Sequence, residues 1–216
     1  MSGDLAWEPD EEDLAFLDVY GAWEPLTPAE VDRLMTGFAH PWWIVGGHAI
    51  EAFTGVRRFH EDLDLVVFTD TVPDLRTHLA GRFHLWNVHD RALRLVDDAH
   101  PELFHPQSQI WMRENARSPW RVDCILELRD ERGRWISKRD PQHVADLENV
   151  TWVAADGIRY LRPEIQLFFK AKQDRVKDRV DLDNAWPLLD GEQQAWLRDT
   201  LARHLPEHPW RERLGA

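Results

Sequence analysis

The sequence of 216 residues has a single cysteine, Cys124, and no apolar run that approaches the roughly 18 residues of a membrane-spanning helix. One cysteine excludes an internal disulfide bond, so nothing in the sequence points to an oxidising compartment. The acidic N-terminal segment also lacks the positively charged and apolar regions of a secretory signal. These absences lead us to expect a cytoplasmic protein.

Positive charge is missing from the first 32 residues, which contain ten Asp or Glu residues and no Lys or Arg. The whole chain has a formal net charge of −13, so this segment accounts for −10 and the remaining residues for only −3. Nucleic-acid-binding proteins usually present a basic face, and the sequence indicates none, so a nucleic-acid partner is not expected. The acidic arm could attract a cationic small molecule, or it could be an ordinary solvated flank.

The residues that are present are typical of a globular protein, with 43% apolar and 30% charged side chains. The length suits one domain of ordinary size or two small ones. Strand and helix patterns are mixed up to about residue 160, and only helix patterns follow. We therefore predict two units. Residues 1–160 form a core with an acidic N-terminal helical arm, whose first ten residues are loosely held, and residues 161–216 form a C-terminal helical subdomain.

Three further stretches of the sequence predict helices. The run Thr27-Pro28-Ala29-Glu30 has an N-cap, a proline at the first helical position and a capping-box acid, and it predicts a helix that reaches about Phe38. A short helix is expected around Val144–Leu147, and a longer one from about Val176 to Leu189.

A glycine pair, Gly46-Gly47, lies between a predicted strand and a predicted helix. The strand covers residues 42–45, and the helix runs from the residues after Gly47 to about Thr54, with Gly55 as its C-cap. At the start of a helix, free backbone N–H groups and the helix dipole favour a phosphate group. The glycine turn is therefore a candidate phosphate site.

Two carboxylates, Asp62 and Asp64, stand at the head of an apolar, β-branched run that predicts a buried strand from Leu63 to Phe68. In a strand, residues i and i+2 point to the same face. Two carboxylates on one buried face repel each other unless a cation lies between them, and oxygen ligands of this kind suit Mg²⁺. A phosphate site followed by a divalent-metal pair suggests nucleoside triphosphate chemistry.

This stretch resembles the signature of the nucleotidyltransferase superfamily, most closely that of the aminoglycoside and lincosamide nucleotidyltransferases. The resemblance rests on Gly46-Gly47-His48-Ala49-Ile50-Glu51, Gly55, Arg57-Arg58, His60 and Asp62-Leu63-Asp64. It implies an α/β (α+β) fold, with a polymerase-β-like core built on a mixed sheet and a helical subdomain after it. It also implies two Mg²⁺ ions, ATP as co-substrate, and transfer of a nucleoside monophosphate to a hydroxyl group.

A third aspartate, Asp123, lies in a predicted strand, where an acid is costly unless it is paired or bound to a metal. By the resemblance, Asp123 would bind one metal together with Asp62 and Asp64, and it would serve as the general base. Alternatively, Asp123 forms an ion pair with Arg121. Glu127 falls on the same face of the predicted strand and could contact the acceptor.

Several residues are candidates for binding the nucleotide beside Gly46 and Gly47. The guanidinium groups of Arg57 and Arg58 suit triphosphate oxygens, although one of them could pair with Glu61 instead. His60 matches a family position and would either contact phosphate or support the loop. Similar transferases direct a lysine from the later helix toward the triphosphate, and Lys170 is that candidate; the alternative is an ordinary exposed lysine.

The resemblance thus implies an adenylyltransferase-type enzyme of antibiotic resistance. Its acceptor would be a small, aminoglycoside- or lincosamide-like molecule, which could be cationic. One alternative is a toxin-type nucleotidyltransferase that modifies tRNA or protein. Another is a relative that binds a nucleotide without catalysis.

Overall fold

The computed structural model describes residues 11–215; residues 1–10, which we expected to be loosely held, and Ala216 lie outside the described residues. Within the described part, no helix combines the length and the apolar character that crossing a membrane requires.

The secondary structure contains both strands and helices up to β10 and only helices after it. The helices are α1 (Glu11–Tyr20), α2 (Pro28–Met35), α3 (Gly46–Thr54), α4 (Val72–Leu79), α5 (Leu147–Val150), α6 (Pro163–Ala171), α7 (Val176–Ala185), α8 (Gly191–His204) and α9 (Pro209–Arg213). The strands are β1 (Trp42–Ile44), β2 (Asp64–Phe68), β3 (His84–His89), β4 (Ala92–Leu95), β5 (Gln109–Arg113), β6 (Val122–Arg129), β7 (Trp135–Ile136), β8 (Val144–Ala145), β9 (Thr151–Val153) and β10 (Arg159–Leu161).

One mixed sheet organises these elements in the order β4-β3-β5-β6-β2-β1-β10-β9, and β7 and β8 extend it from β6. The β2–β6 and β1–β10 pairs are parallel, and the other pairs are antiparallel. The predicted combination of a mixed sheet with helices is therefore confirmed.

Helices α2 and α3 begin and end for identifiable reasons. The capping box of Thr27 and Glu30 starts α2 as predicted, but the helix ends at Met35, because Gly37 turns the chain with a φ of +83°. Helix α3 starts at Gly46 itself, two residues earlier than its predicted start after Gly47, and Gly55 ends it in the left-handed conformation.

The predicted bounds of two further helices are also wrong. Val144 pairs with Ile136 of β7 as part of β8, so the short helix that follows covers Leu147–Val150 instead of residues 144–147. Pairing with an existing strand outweighs the weak helix preference of a short apolar run there. Helix α7 ends at Ala185, because Pro187 lies in a tighter 3₁₀ turn over Trp186–Leu188.

Helices cover both faces of the sheet. On one face, Leu65 and Val67 of β2 pack against α2 and α4. On the other face, Val66 and Phe68 pack with Ile165 of α6 and with α5. Asp64, Asp123 and Glu127 share this second face by strand parity, so the carboxylates lie beside α6.

The helices after β10 share their core with the rest of the chain. Ile50 of α3 is buried in the same apolar cluster as side chains from α6, α7, α8 and α9. All elements from Pro163 onward are helical, and the division into units at residues 160 and 161 stays a prediction.

Trp120 anchors the segment that follows α1. Its side chain is fully buried, and its indole Nε1 donates a hydrogen bond of 2.7 Å to the carbonyl of Tyr20. Backbone hydrogen bonds with Ala22 and Glu24 join the same segment to the sheet. Trp120 thus fixes the position of α1 relative to β5 and β6.

Replacing Trp120 with Phe should lower the free energy of unfolding by about 1–3 kcal/mol, because the Tyr20 carbonyl loses its buried donor. Urea denaturation measures the change. The control is Trp152→Phe, since the Nε1 of Trp152 is buried without a hydrogen-bond partner in the described chain. An equal loss in both variants would show that the hydrogen bond contributes nothing.

Candidate active site

A cleft of about 250 Å³ opens on the second face of the sheet. The β1–α3 turn, the start of β2, strand β6, helix α6 and the α6–α7 loop form its walls. All three predicted aspartates line it, together with Gly46, Gly47, Arg58 and Lys170.

The aspartates meet because β2 and β6 pair in parallel with Asp64 directly opposite Asp123. Asp62 lies two residues before Asp64, outside the strand itself. Burial, followed by the charge of Asp62, raises the pKa of Asp64 to about 7. Burial and the charges of Asp64 and Asp62 raise the pKa of Asp123 well above its usual range. The cluster therefore favours a proton or a cation at neutral pH.

The two carboxylate oxygens of Asp123 differ in their hydrogen bonding. The Nε2 of Gln109 on β5 donates a 2.7 Å hydrogen bond to Oδ2, whereas Oδ1 is buried and accepts no well-aligned hydrogen bond from residues 11–215. The side chain of Trp111 lies close enough to lower the pKa of Asp123, but this effect is smaller than that of burial. The alternative ion pair with Arg121 does not form, because that arginine contacts Glu24 and Glu114, each at 3.4 Å. Asp123 is thus available to a ligand in the cleft.

Both glycines of the turn are required by close contacts. Gly46 has a φ of +71°, and a Cβ there would lie 2.0 Å from Oδ2 of Asp64. A Cβ on Gly47 would lie 2.1 Å from Nη2 of Arg58 and 2.6 Å from Nδ1 of His60. The Gly46 N–H donates a 2.8 Å hydrogen bond to Gln166 of α6, so this donor is already used.

The positive side chains of the cleft are held by a buried ion network. Asp181 of α7 accepts bidentate hydrogen bonds from Arg58, at 3.0 and 3.1 Å, and forms an ion pair with Lys170 at 2.9 Å. Lys170 also contacts Asp178 at 3.1 Å, and Arg175 binds Asp178 through two nitrogens. Asp178 and Asp181 are 0% and 3% exposed, so their charges depend on these partners.

Two of the predicted nucleotide-binding residues do not line the cleft. Arg57 is exposed and borders a shallow cavity on another side of α3, near Asp32 and Asp156. The ring of His60 lies against Gly47, and its Nε2 is 2.8 Å from the Glu51 carboxylate. His60 therefore lies against the turn, an arrangement that favours support of the loop, the second of its two predicted roles.

His48, which could not be assigned a role from sequence, stacks on His60 with ring centres 3.8 Å apart. Burial, with smaller effects of His60 and Arg58, lowers the pKa of His48 to about 3, and burial lowers that of His60. Both rings are therefore neutral at pH 7. Ligand atoms of His48, Glu51 and His60 lie within 4.8 Å of one another, so they could hold a metal ion, although the nearby Arg58 opposes a cation there.

Sequence reasoning missed several polar residues of the cleft. Gln166 lies between Ile165 and Leu167 in the apolar part of α6, and this interruption was the available signal. Gln109 had no local signal, because its role depends on the pairing of β5 with β6. The remaining missed residues that line the cleft are Lys138, Arg139, Gln173, Arg175 and Lys177.

No protein-family model and no curated protein match this chain. Several solved structures are similar to it. The antibiotic-resistance factor ANT(2″)-Ia matches with 18% identity and a TM-score of 0.51, over 81% of this chain and 89% of that one. The chain has the fold of antibiotic nucleotidyltransferases. This confirms, for the fold, the resemblance that the glycine and aspartate motifs indicated.

Two further solved structures are similar at lower TM-scores. The lincosamide antibiotic adenylyltransferase LnuA with lincomycin bound has 16% identity and a TM-score of 0.48, over 82% of this chain and 96% of that one. ANT(2″)-Ia in complex with adenylyl-2″-tobramycin has 17% identity and a TM-score of 0.49, over 81% of this chain and 95% of that one.

The raised pKa of Asp64 predicts a dependence of stability on pH. An acid whose folded pKa exceeds its unfolded value contributes stability at low pH, and this contribution is lost as pH rises through the folded pKa, here from about 4 to about 7. In EDTA at pH 8, Asp64→Asn should therefore be more stable than the wild type. Its free energy of unfolding should be higher by an amount on the order of 1–4 kcal/mol, and its unfolding temperature should be higher as well.

The difference between the two proteins should shrink toward pH 4. Calorimetry across this range measures it, with Glu131→Gln, an exposed acid in the β6–β7 turn, as the charge-matched control. An Asp64→Asn variant that is less stable than the wild type at pH 8 would contradict the repulsion within the cluster.

Proposed function

We propose that this protein is a metal-dependent nucleotidyltransferase that transfers a nucleoside monophosphate, first of all AMP from ATP, to a hydroxyl of a small antibiotic-like acceptor. One observation carries the proposal: Asp64 and Asp123 face each other beside the glycine turn, and a buried Asp123 oxygen accepts no well-aligned hydrogen bond in the described chain. The shared fold supports the proposal. We assign the sheet with α3 and α4 to a polymerase-β-like core.

The aspartate cluster fits Mg²⁺. Its donors are carboxylate oxygens, which this ion prefers, and the raised pKa values of Asp64 and Asp123 reflect a repulsion that a cation would relieve. We assign Asp62, Asp64 and Asp123 as ligands of two ions. When bound, the ions supply charge neutralisation at the phosphates and activation of the attacking oxygen.

Together, the positive residues near the glycine turn favour binding of a triphosphate. Arg58, Lys170, Arg175 and Lys177 face three acids, Glu61, Asp178 and Asp181, so one positive charge is left in excess. An ammonium has three N–H donors, and Asp178 and Asp181 take two from Lys170. One donor of Lys170 is thus left for a phosphate oxygen.

We assign Asp123 as the general base. The acceptor oxygen bonds to the α-phosphorus, the bond to pyrophosphate breaks, and the hydroxyl proton passes to Oδ1 of Asp123. Gln109 holds the other oxygen and so fixes the direction of the carboxylate. A base held in this way typically contributes about 10²–10⁴-fold to the rate.

The direct test is to incubate the protein and Mg²⁺ with radiolabelled ATP, GTP, CTP or UTP, and with lincomycin, tobramycin or bulk tRNA. We expect AMP transfer to one of the small molecules. Transfer to tRNA alone would favour the toxin-type alternative, and nucleotide binding without any transfer would favour the non-catalytic one.

Gly47→Val should weaken the binding of a non-hydrolysable ATP analogue at least about tenfold, because the new side chain displaces Arg58 and His60 from the turn. Calorimetry measures the dissociation constant. Gly191→Val is the control, since nothing lies within 4 Å of a Cβ at Gly191. Equal affinity in the two variants would place the nucleotide elsewhere.

Asp123→Asn should bind Mg²⁺ and ATP nearly as the wild type does, because Asp62 and Asp64 would still hold the metal that accompanies the nucleotide. It should nevertheless lose about 10²–10⁴-fold in the single-turnover rate, because the base is removed. Asp62→Asn should lose both properties, since Asp62 has only the ligand role. The same preparation provides both measurements. An Asp123→Asn variant that loses nucleotide affinity as completely as Asp62→Asn would be mainly a metal ligand.

A further inference from the structure

The direction of attack in the proposed reaction locates the acceptor. In phosphoryl-group displacements the attacking and leaving oxygens lie roughly in line. Pyrophosphate leaves toward the glycine turn after β1, where Arg58 and Lys170 lie. Because the strand order is β5-β6-β2-β1, the acceptor must approach from the opposite side, past Asp123 on β6 and toward β5.

A second cavity lies at that position. Its volume is about 700 Å³, within the range of small-molecule sites. It shares Gln109, Ile125 and Lys138 with the catalytic cleft, so the two spaces adjoin at the residue that orients Asp123. We infer that this cavity binds the acceptor, an inference that rests on the proposed function of the cleft.

Three parts of the chain build the walls of this cavity. Helix α1 contributes Ala15, Val19 and Tyr20. The turn between β3 and β4 provides the opposite wall, and the Tyr20 hydroxyl donates a 3.1 Å hydrogen bond to the Arg91 carbonyl across the gap. Trp111 of β5 also lines the cavity, with its ring edge-on to that of Tyr20 at 6.0 Å.

The β3–β4 turn holds two non-glycine residues, Asp90 and Arg91, at φ values of +47° and +66°. A two-residue hairpin turn of this shape usually contains Asn-Gly or Asp-Gly, because the left-handed region is costly for Arg. The turn therefore presents a charged side chain at the cavity instead of the glycine that its backbone would favour.

The charges around the cavity do not suit a polycation. Its lining contains one acid, Asp90, whose side chain is 91% exposed, against Arg91 and Lys138, and the Lys138 ammonium lies 3.4 Å from the Glu127 carboxylate. The rest of the lining is mainly aromatic, aliphatic and uncharged polar. The cavity therefore fits a hydroxylated molecule with an apolar face and at most one positive charge, and it is unsuited to the cationic acceptor that the acidic N-terminal arm first suggested.

The test blocks the cavity from α1 without changing the cleft. Ala15→Trp places an indole in the cavity, and Leu14→Trp is the matched control, because Leu14 is an exposed neighbour that does not line the cavity. Calorimetry measures binding of two probes to the full-length protein with Mg²⁺ and a non-hydrolysable ATP analogue. Lincomycin has sugar hydroxyls, an apolar chain and one amine; tobramycin is a polyamine.

We expect lincomycin to bind the wild type and Leu14→Trp alike, to bind Ala15→Trp at least about tenfold more weakly, and to bind the wild type more tightly than tobramycin does. The ATP analogue should bind all three proteins equally. The inference is overturned if lincomycin does not bind the wild type, if the two variants behave alike, or if tobramycin is preferred.

Failure of the inference and failure of the proposed function give different results. If lincomycin binds as expected but receives no AMP from ATP, the cavity assignment stands and the transferase proposal fails. If AMP is transferred with equal efficiency by Ala15→Trp and Leu14→Trp, the transferase proposal stands and the acceptor binds outside this cavity.

Discussion

The parallel register of β2 with β6 is the constraint on which the site depends. It sets Asp64 opposite Asp123 and directs both side chains to the face on which α6 packs. A slip of one residue in either strand would turn its carboxylate toward the apolar face that α2 and α4 cover. The buried, β-branched residues that follow Asp64 in β2, such as Val66 and Val67, hold the register through packing on both faces. The packing of the core therefore also determines the geometry of the site.

The second constraint is the ion network that joins α7 to the cleft. Isolated buried charges are costly, but here each acid has two cationic partners, so removing one member would leave another uncompensated. The network links residues far apart in sequence: Arg58 and Asp181 are separated by 123 positions. It fixes Arg58 against Gly47, and so the shape of the turn depends on a helix from the last quarter of the chain. A cleft assembled in this way has its charges in place before a ligand arrives, which is the property that favours electrostatic catalysis.

The sequence predicted the parts of the site that local spacing controls. Gly46, Gly47, Asp62 and Asp64 belong to one strand–turn–helix–strand segment, and all four line the cleft. Asp123 could be recognised because an acid inside an apolar strand needs a partner. The hydrogen bond from Gly46 to Gln166 spans 120 positions, so no periodicity could reveal it. Arg57 and Arg58 looked equivalent as sequence neighbours, yet the loop directs only Arg58 to the cleft.

Under the proposed function, the ion pairs of the cations also limit how a triphosphate would be held. Arg58 uses Nε and Nη2 on Asp181 and donates through Nη1 to the Phe59 carbonyl at 2.8 Å. A bidentate contact with phosphate would require Arg58 to release Asp181. Asp181 is 3% exposed and would then lose one of its two cationic partners. Lys177 contacts Glu61 near the surface, where an ion pair is worth little and exchanges easily. Direct phosphate contacts should therefore come from Lys177 and from the spare donor of Lys170, while Arg58 contributes its charge and holds the glycine turn in shape.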